Sequence, residues 1–343
     1  MLSRTQGMNQ FWRKYYVFGR NLTIRKLANA GLRLAAFVTH NPGLGGVPLH
    51  IKVDVSPNCQ LRCPICLHSS MTHAERASLP KAMVPETFAT LVDQVRGRTL
   101  AMSLYNLGEP LLNKSLTAMI RYAADAKINT YITSNFSMPL SDAQLTALAQ
   151  SGLSLLVVAV DGISAETFGV QRIRGNLPVI EDNMRRFIAI RGKNGPRVTL
   201  QYLTFDHNRH ETPKVQAYCD AFGIDDAWII NGTDGTKKPW LVQFAQRQEW
   251  LPKTWRPLPR CGWPFFSALV GTAGEVYGCC HYRMDENYLR RDESRPLGNI
   301  HQASMEEIYD SQAYREARQL SSNPGRHGPK PHHFCHGCKV IQG

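Results

Sequence analysis

A chain of 343 residues, 43% hydrophobic and 20% charged, has the size for one large domain plus a smaller one and the composition of a globular enzyme. No apolar run approaches the ~20 residues that a membrane-spanning helix needs, and no signal-peptide core is present. The net charge is +13, and the first 53 residues hold eight Lys or Arg and no acid, an asymmetry that suits a polyanionic partner: an anionic membrane surface, nucleic acid or a phosphorylated substrate.

Residues 1–48 form a basic lead-in segment. Between 22 and 38, Ile24, Leu27, Ala28, Leu34, Ala35 and Val38 share one helical face, and Arg25, Lys26, Asn29 and Arg33 the other. The expectation is a helix packed on the following domain by its apolar stripe, with its basic side in water. The alternative is a helix lying on a membrane interface, for which the aromatics Phe11, Trp12, Tyr15, Tyr16 and Phe18 beside Arg13 and Lys14 are suited. An acid-free, Arg-rich start also resembles an organellar transit peptide. Residues 41–48, rich in Gly and Pro, break the helix.

After a β-type run at 50–55 comes a loop, residues 56–69, with three cysteines spaced Cys59-x-x-x-Cys63-x-x-Cys66. Three thiolates in one tight loop cannot pair among themselves, so a metal cluster suits them better than a disulfide. An iron–sulfur cluster also accounts for a missing fourth protein ligand, since one iron stays open. A zinc knuckle is the alternative, although zinc sites usually pair two Cys-x-x-Cys units. Nine cysteines in all, an odd number gathered in two places, do not form a secreted disulfide framework; a reducing, cytoplasmic setting is expected.

From residue 50 strands and helices alternate. Strands are expected at 50–55, 101–106, 129–134, 155–160, 197–205 and 227–230. Helices are expected at 85–96, 114–126, 141–151, 179–192 and 213–222, with Pro85 at a first turn and a capping box at Ser141-Asp-Ala-Gln144. This is an α/β pattern with a right-handed parallel sheet, six units against the eight of a closed barrel. Polar residues fall at the strand ends, where such sheets bind ligands: Gly108-Glu109-Pro110, Ser134-Asn135, Asp161-Gly162 and, further on, Arg172-Ile-Arg174-Gly175.

The cysteine loop, followed in this order by these strand-end elements, resembles the radical SAM superfamily. The resemblance implies a partial (β/α)6 TIM-like barrel over 49–236. It implies a [4Fe–4S] cluster on Cys59, Cys63 and Cys66, with S-adenosylmethionine on the open iron. It implies that Gly108, Glu109 and Pro110 meet the cofactor's amino group. Ser134, Asn135 and Asp161 would lie along it, and Arg174, with Arg172 as rival, would pair with its carboxylate. Reductive cleavage would yield a 5′-deoxyadenosyl radical, and an electron donor such as flavodoxin or ferredoxin is implied. Ile65 departs from the aromatic usual before the third cysteine.

Residues 237–343 form a small cysteine-rich C-terminal domain. Cys261, Gly274 and Cys279 are spaced as in the opening of the SPASM motif, a hairpin is expected at 270–277, and Cys335-His-Gly-Cys338 supplies a second pair. The resemblance implies one auxiliary [4Fe–4S] cluster on Cys261, Cys279, Cys335 and Cys338, making two clusters in all. With no cysteine after Cys338, a second auxiliary cluster is not expected. A zinc site drawing on His332, His333 and His336 is the alternative, and Cys280 beside Cys279 is a spare thiol. Cys219 reads as a packed core thiol.

The function expected is hydrogen-atom abstraction, with dehydrogenation first and the auxiliary cluster as electron acceptor. The second reading is an epimerase in which Cys280 returns a hydrogen atom as catalytic donor. A third, from another class, is a zinc-bearing basic binding protein. No leader-binding domain is evident in the short N-terminal segment, so a small-molecule, carbohydrate or lipid-linked substrate is expected. Nucleic acid is not expected, and peripheral membrane contact rests on the N-terminal helix.

Overall fold

The computed structural model describes residues 16–232, 258–279, 296–322, 333–335 and 338. The expected alternation is present. Helix α1, Ile24–Val38, leads to strand β1, His50–Val53. Then follow α2 (Pro85–Val95), β2 (Ala101–Ser103), α3 (Leu116–Asp125), β3 (Asn129–Ser134), α4 (Asp142–Ala149) and β4 (Leu155–Ala159). Next come α5 (Ala165–Gln171), α6 (Leu177–Arg191), β5 (Arg197–Thr204), α7 (Val215–Phe222) and β6 (Asp226–Asn231). Pro85 opens α2, and Ser141 caps α4 in the expected box with Gln144. Helix α5 was not expected: with only seven residues it is too short to show a helical period.

Strands β1 to β6 are parallel and adjacent in chain order, the arrangement of a partial α/β barrel. Their side chains alternate. Ile51 and Val53 of β1, Met102 of β2 and Leu156 and Val158 of β4 are buried among the surrounding helices, in one core with Phe88, Leu91 and Ile120. His50 and Lys52 take the alternate positions on β1 and face the barrel lumen, where Lys52 Nζ lies 4.9 Å from the centre of the Tyr105 ring. The lower end of the lumen is filled by Val17, which packs with Leu155, Val157 and Trp228.

The C-terminal region extends this same sheet. Strand β7, Ser267–Val270, pairs in parallel with β1, placing Ser267 opposite His50 and Val270 opposite Val53. The expected hairpin follows, with β8, Glu275–Tyr277, antiparallel to β7. Gly274 closes its turn at φ +86°, a conformation that favours glycine. β9 (Gly298–Asn299), α8 (Met305–Tyr309) and α9 (Gln312–Ser322) complete the described part. The boundary expected between 236 and 237 lies outside the described residues. Among the described residues no helix is long and apolar enough to cross a membrane.

Helix α1 corrects one expectation: it packs on the barrel by its polar face. Lys26, Asn29, Arg33 and Ala36 are buried, while Ile24 is 87% and Leu27 and Leu34 are each 55% exposed. The lower rim of the barrel explains the inversion. There the chain leaves helices α2 and α3, and their ends present unpaired carbonyls that need donors. Lys26 Nζ donates to Lys127 O at 2.5 Å, just past the end of α3. Asn29 Nδ2 donates to Arg98 O, past α2, at 3.2 Å and to Val47 O at 3.0 Å. Arg33 donates to the carbonyls of Leu44 and Gly45 and lies over the Tyr309 ring. Burial lowers the Lys26 pKa to about 8, helped by the nearby charge of Lys127.

Candidate functional site

The cysteine loop leaves β1 at its carboxyl end and folds over the ends of β2 to β5. Two contacts fix it against the next strand-end loop. Glu109 N donates to Asn58 O at 2.7 Å. Gly108 passes so close to the loop backbone that a Cβ there would sit 2.0 Å from Ser56 O and 2.5 Å from Asn58 O. Only glycine allows this approach. A third contact, Arg62 N to Ile173 O at 3.0 Å, ties the loop to the turn after α5.

A cavity of about 290 Å³ opens beneath, and Cys59, Cys63 and Cys66 all line it. The thiols are desolvated: burial pushes Cys59 up to about 12 and raises Cys63, while Arg172 draws Cys63 back down. Leu61 N and Asn135 Nδ2 point donors at Cys59 Sγ, at 3.4 and 3.7 Å. Three soft sulfur donors with N–H groups aimed at one of them match what an iron–sulfur cluster takes from its protein.

Glu109 is the other fixed point. Its carboxylate is buried and accepts from Ser134 Oγ at 2.7 Å, Asn135 N at 2.8 Å and Leu111 N at 3.1 Å. Burial raises its pKa and these three donors pull against that. A buried carboxylate whose hydrogen bonds all come from neutral donors, with the Arg172 charge nearby, keeps an acceptor oxygen suited to an ammonium group. Ser134 and Asn135 thus do a job that the sequence did not reveal, which is to orient Glu109. Pro110 begins the turn that aims it.

Arg174 and Arg172 exchange places relative to expectation. Arg174 is exposed, at φ +69° in the turn after α5, and does not line the cavity. Arg172 lines it, with Nε 2.8 Å from Asp161 Oδ2. Burial works against its charge, and Asp161 and Cys63 more than offset that. The other Asp161 oxygen accepts from Leu203 N at 3.0 Å. The carboxylate therefore serves to hold Arg172 and β5. Four polar lining residues escaped sequence reading: Asn106, Thr133, Gln171 and Gln201. Thr133 and Gln201 show only as alternate positions on strands β3 and β5. Asn106 has both side-chain polar atoms buried and unpartnered.

The second cysteine group lies toward the other end of the barrel. Cys261 precedes β7, which starts level with His50 at the amino end of β1. Strand β8 runs back, so Cys279, two residues past Tyr277, returns to that end. Cys335 is buried against Ala317 and Leu320 of α9, with Cys261 and Cys338 packed beside it. Burial raises its pKa, and the neighbouring sulfurs of Cys261 and Cys338 add to this. His333, named above as a zinc ligand, has both nitrogens engaged: Nδ1 accepts from Cys335 N at 3.0 Å, and Nε2 lies 3.0 Å from Ala313 O. Cys280, His332 and His336 lie outside the described residues, so the proposed thiol donor is not placed.

Known proteins match this arrangement. The radical SAM superfamily matches residues 53–218, and SPASM, an iron-sulfur cluster-binding domain, matches 261–339. A PqqA peptide cyclase of Granulibacter bethesdensis is 22% identical over 184 residues, 54% of this chain and 47% of its own. A GTP 3′,8-cyclase of Marinobacter nauticus is 24% identical over 186 residues, 52% of this chain and 53% of its own. The chain thus matches about half the length of these curated relatives. In fold, Streptococcus suis SuiB, bound to the precursor peptide SuiA, superposes with a TM-score of 0.63 at 14% identity, covering 90% of this chain and 79% of that one. The iron–sulfur character of both matched domains replaces the zinc alternatives, and the cofactors are S-adenosylmethionine, the [4Fe–4S] cluster of the barrel and iron–sulfur in the C-terminal domain. The chain belongs to the radical SAM superfamily and carries a C-terminal SPASM domain.

Proposed function

We propose that this radical SAM enzyme oxidises its substrate by two electrons, starting from a C–H bond held in the barrel lumen between the two cysteine groups. The observation that carries the reading is that one continuous sheet carries both cysteine groups, toward opposite ends, with the lined cavity at the first. The bound cofactors supply a 5′-deoxyadenosyl radical at one end and an electron acceptor at the other. Cys59, Cys63 and Cys66 would hold the first cluster, and Cys261, Cys279, Cys335 and Cys338 the second. Glu109, fixed by Ser134 and Asn135, would receive the ammonium of S-adenosylmethionine. Arg172, braced by Asp161, would pair with its carboxylate, as a guanidinium can bind a carboxylate through two N–H groups.

The lumen wall bears on substrate class. Lys52 faces inward over Tyr105, which itself lines the cavity, and no carboxylate is within ion-pair distance of it among the described residues. A lumen lysine without an acid is matched by an anionic group on the substrate. The relatives named above include peptide cyclases, so an acidic peptide stands beside a small-molecule, carbohydrate or lipid-linked anion as the substrate.

The test follows isotope and oxidation level. Anaerobic turnover of substrate deuterated at the reacting carbon is expected to move deuterium into 5′-deoxyadenosine and give a product two hydrogens lighter. Cys261→Ala is expected to keep forming 5′-deoxyadenosine but to lose the oxidised product. A product isomeric with the substrate, abolished by Cys280→Ala, would overturn the reading in favour of epimerisation.

A further inference from the structure

The exposed face of α1 has no counterpart in the chemistry above. Ile24, Leu27, Leu34 and Val38, three to four residues apart in steps or multiples, form one stripe along a helix of 15 residues, about 22 Å long at 1.5 Å per residue. All four are at least half exposed, and Leu32 on the flank is 38% exposed. Arg25 is the only charged residue on this outer side. The inversion is built in, because the residues that would make the helix soluble as a surface element are consumed by carbonyls of the barrel rim. An apolar stripe of this extent on a helix marks a docking surface.

We propose that α1 lies in the surface of an anionic lipid bilayer, with its apolar stripe among the acyl chains and the barrel held above. Charge identifies the occupant. Residues 1–53 contain no acid. Lys26 and Arg33 turn inward, but Arg20 and Arg25 stand exposed at the start of the helix, and Arg4, Arg13 and Lys14 precede it in the sequence. Trp12 and Tyr15 among them are the residue types that settle at headgroup depth. Basic charge flanking an apolar stripe, in a segment of 53 residues without an acid, is the pairing that holds an interfacial helix on anionic lipid. A second copy of this chain would bring the same positive charges together, which disfavours a symmetric dimer through this face.

The experiment is co-sedimentation of the full chain, kept anaerobic, with vesicles of phosphatidylcholine alone or with about a third phosphatidylglycerol. The protein is expected in the pellet with the mixed vesicles, at a level that falls with salt as surface attraction is screened. Leu27→Glu with Leu34→Glu is expected to weaken binding at least ~10-fold. Both positions are solvent-exposed, so circular dichroism and 5′-deoxyadenosine formation should be unchanged in the variant. Absence from the pellet at low salt would overturn the proposal. So would binding by the double variant equal to that of the parent, or a dimer that the variant splits while neither protein binds vesicles.

Discussion

Gly108→Ala is expected to disable the site. The added Cβ would meet Ser56 O at 2.0 Å and Asn58 O at 2.5 Å, both backbone atoms of the cysteine loop. A flexible side chain could swing aside, but this loop cannot. It is tied at Asn58 to Glu109 N and at Arg62 to Ile173. Relief requires the loop and the Glu109 turn to part, at a cost of about 3 kcal/mol, the upper end for an overpacked site. Separation would move Cys59 away from Asn135 and displace the Glu109 carboxylate from the cavity. The expected readings are a lower unfolding temperature, poor iron retention after anaerobic reconstitution and no measurable 5′-deoxyadenosine. Full iron content with normal cleavage would show that the close approach is dispensable.

Arg172→Ala should cost about 3–5 kcal/mol of stability, the usual penalty for breaking a buried ion pair from one side. Asp161 is 1% exposed and would be left with Leu203 N as the donor to its carboxylate. Arg174→Ala, at an exposed position, should change stability by less than ~0.5 kcal/mol. The pair of variants also separates cofactor roles. S-adenosylmethionine affinity, read by equilibrium dialysis, should fall with Arg172→Ala and hold with Arg174→Ala. The milder Arg172→Lys keeps a positive charge for Asp161 but loses the two-pronged contact, so it should recover stability more than affinity. Equal loss of affinity in both alanine variants would contradict the placement of Arg172.

Much of this arrangement was legible in the residues. Strand β5 could be located because Val198, Leu200 and Tyr202 recur at alternate positions between helical stretches with clear starts. Gly108-Glu109, Ser134-Asn135 and Asp161 could be picked out because each stands at, or a few residues past, the carboxyl end of a strand. What could not be read was the partner of each polar group. Ser134 and Asn135 serve Glu109, a contact spanning 25 and 26 residues of chain. Arg172 and Arg174 stand two apart in one turn, and only the fold decides which faces the cavity. The helix at the N-terminal end shows the limit most clearly. Its periodicity announced two faces, and the choice between them was settled by carbonyls at Arg98 and Lys127, remote in sequence. Nor could a local pattern show that β7 continues the barrel sheet beside β1, since such a pairing joins residues more than 200 apart.

The central claim is that two separate cysteine groups serve one lumen, only the first being needed to cleave S-adenosylmethionine. The most direct measurement is iron content and 5′-deoxyadenosine formation in two reconstituted variants, one with Cys59, Cys63 and Cys66 replaced by alanine and one with Cys261 and Cys335 replaced. The parent should hold roughly eight irons and each variant roughly four, for four-iron clusters. Cleavage should vanish in the first variant and persist in the second. Cleavage surviving without the loop cysteines, or lost along with the C-terminal pair while four irons remain, would contradict the account.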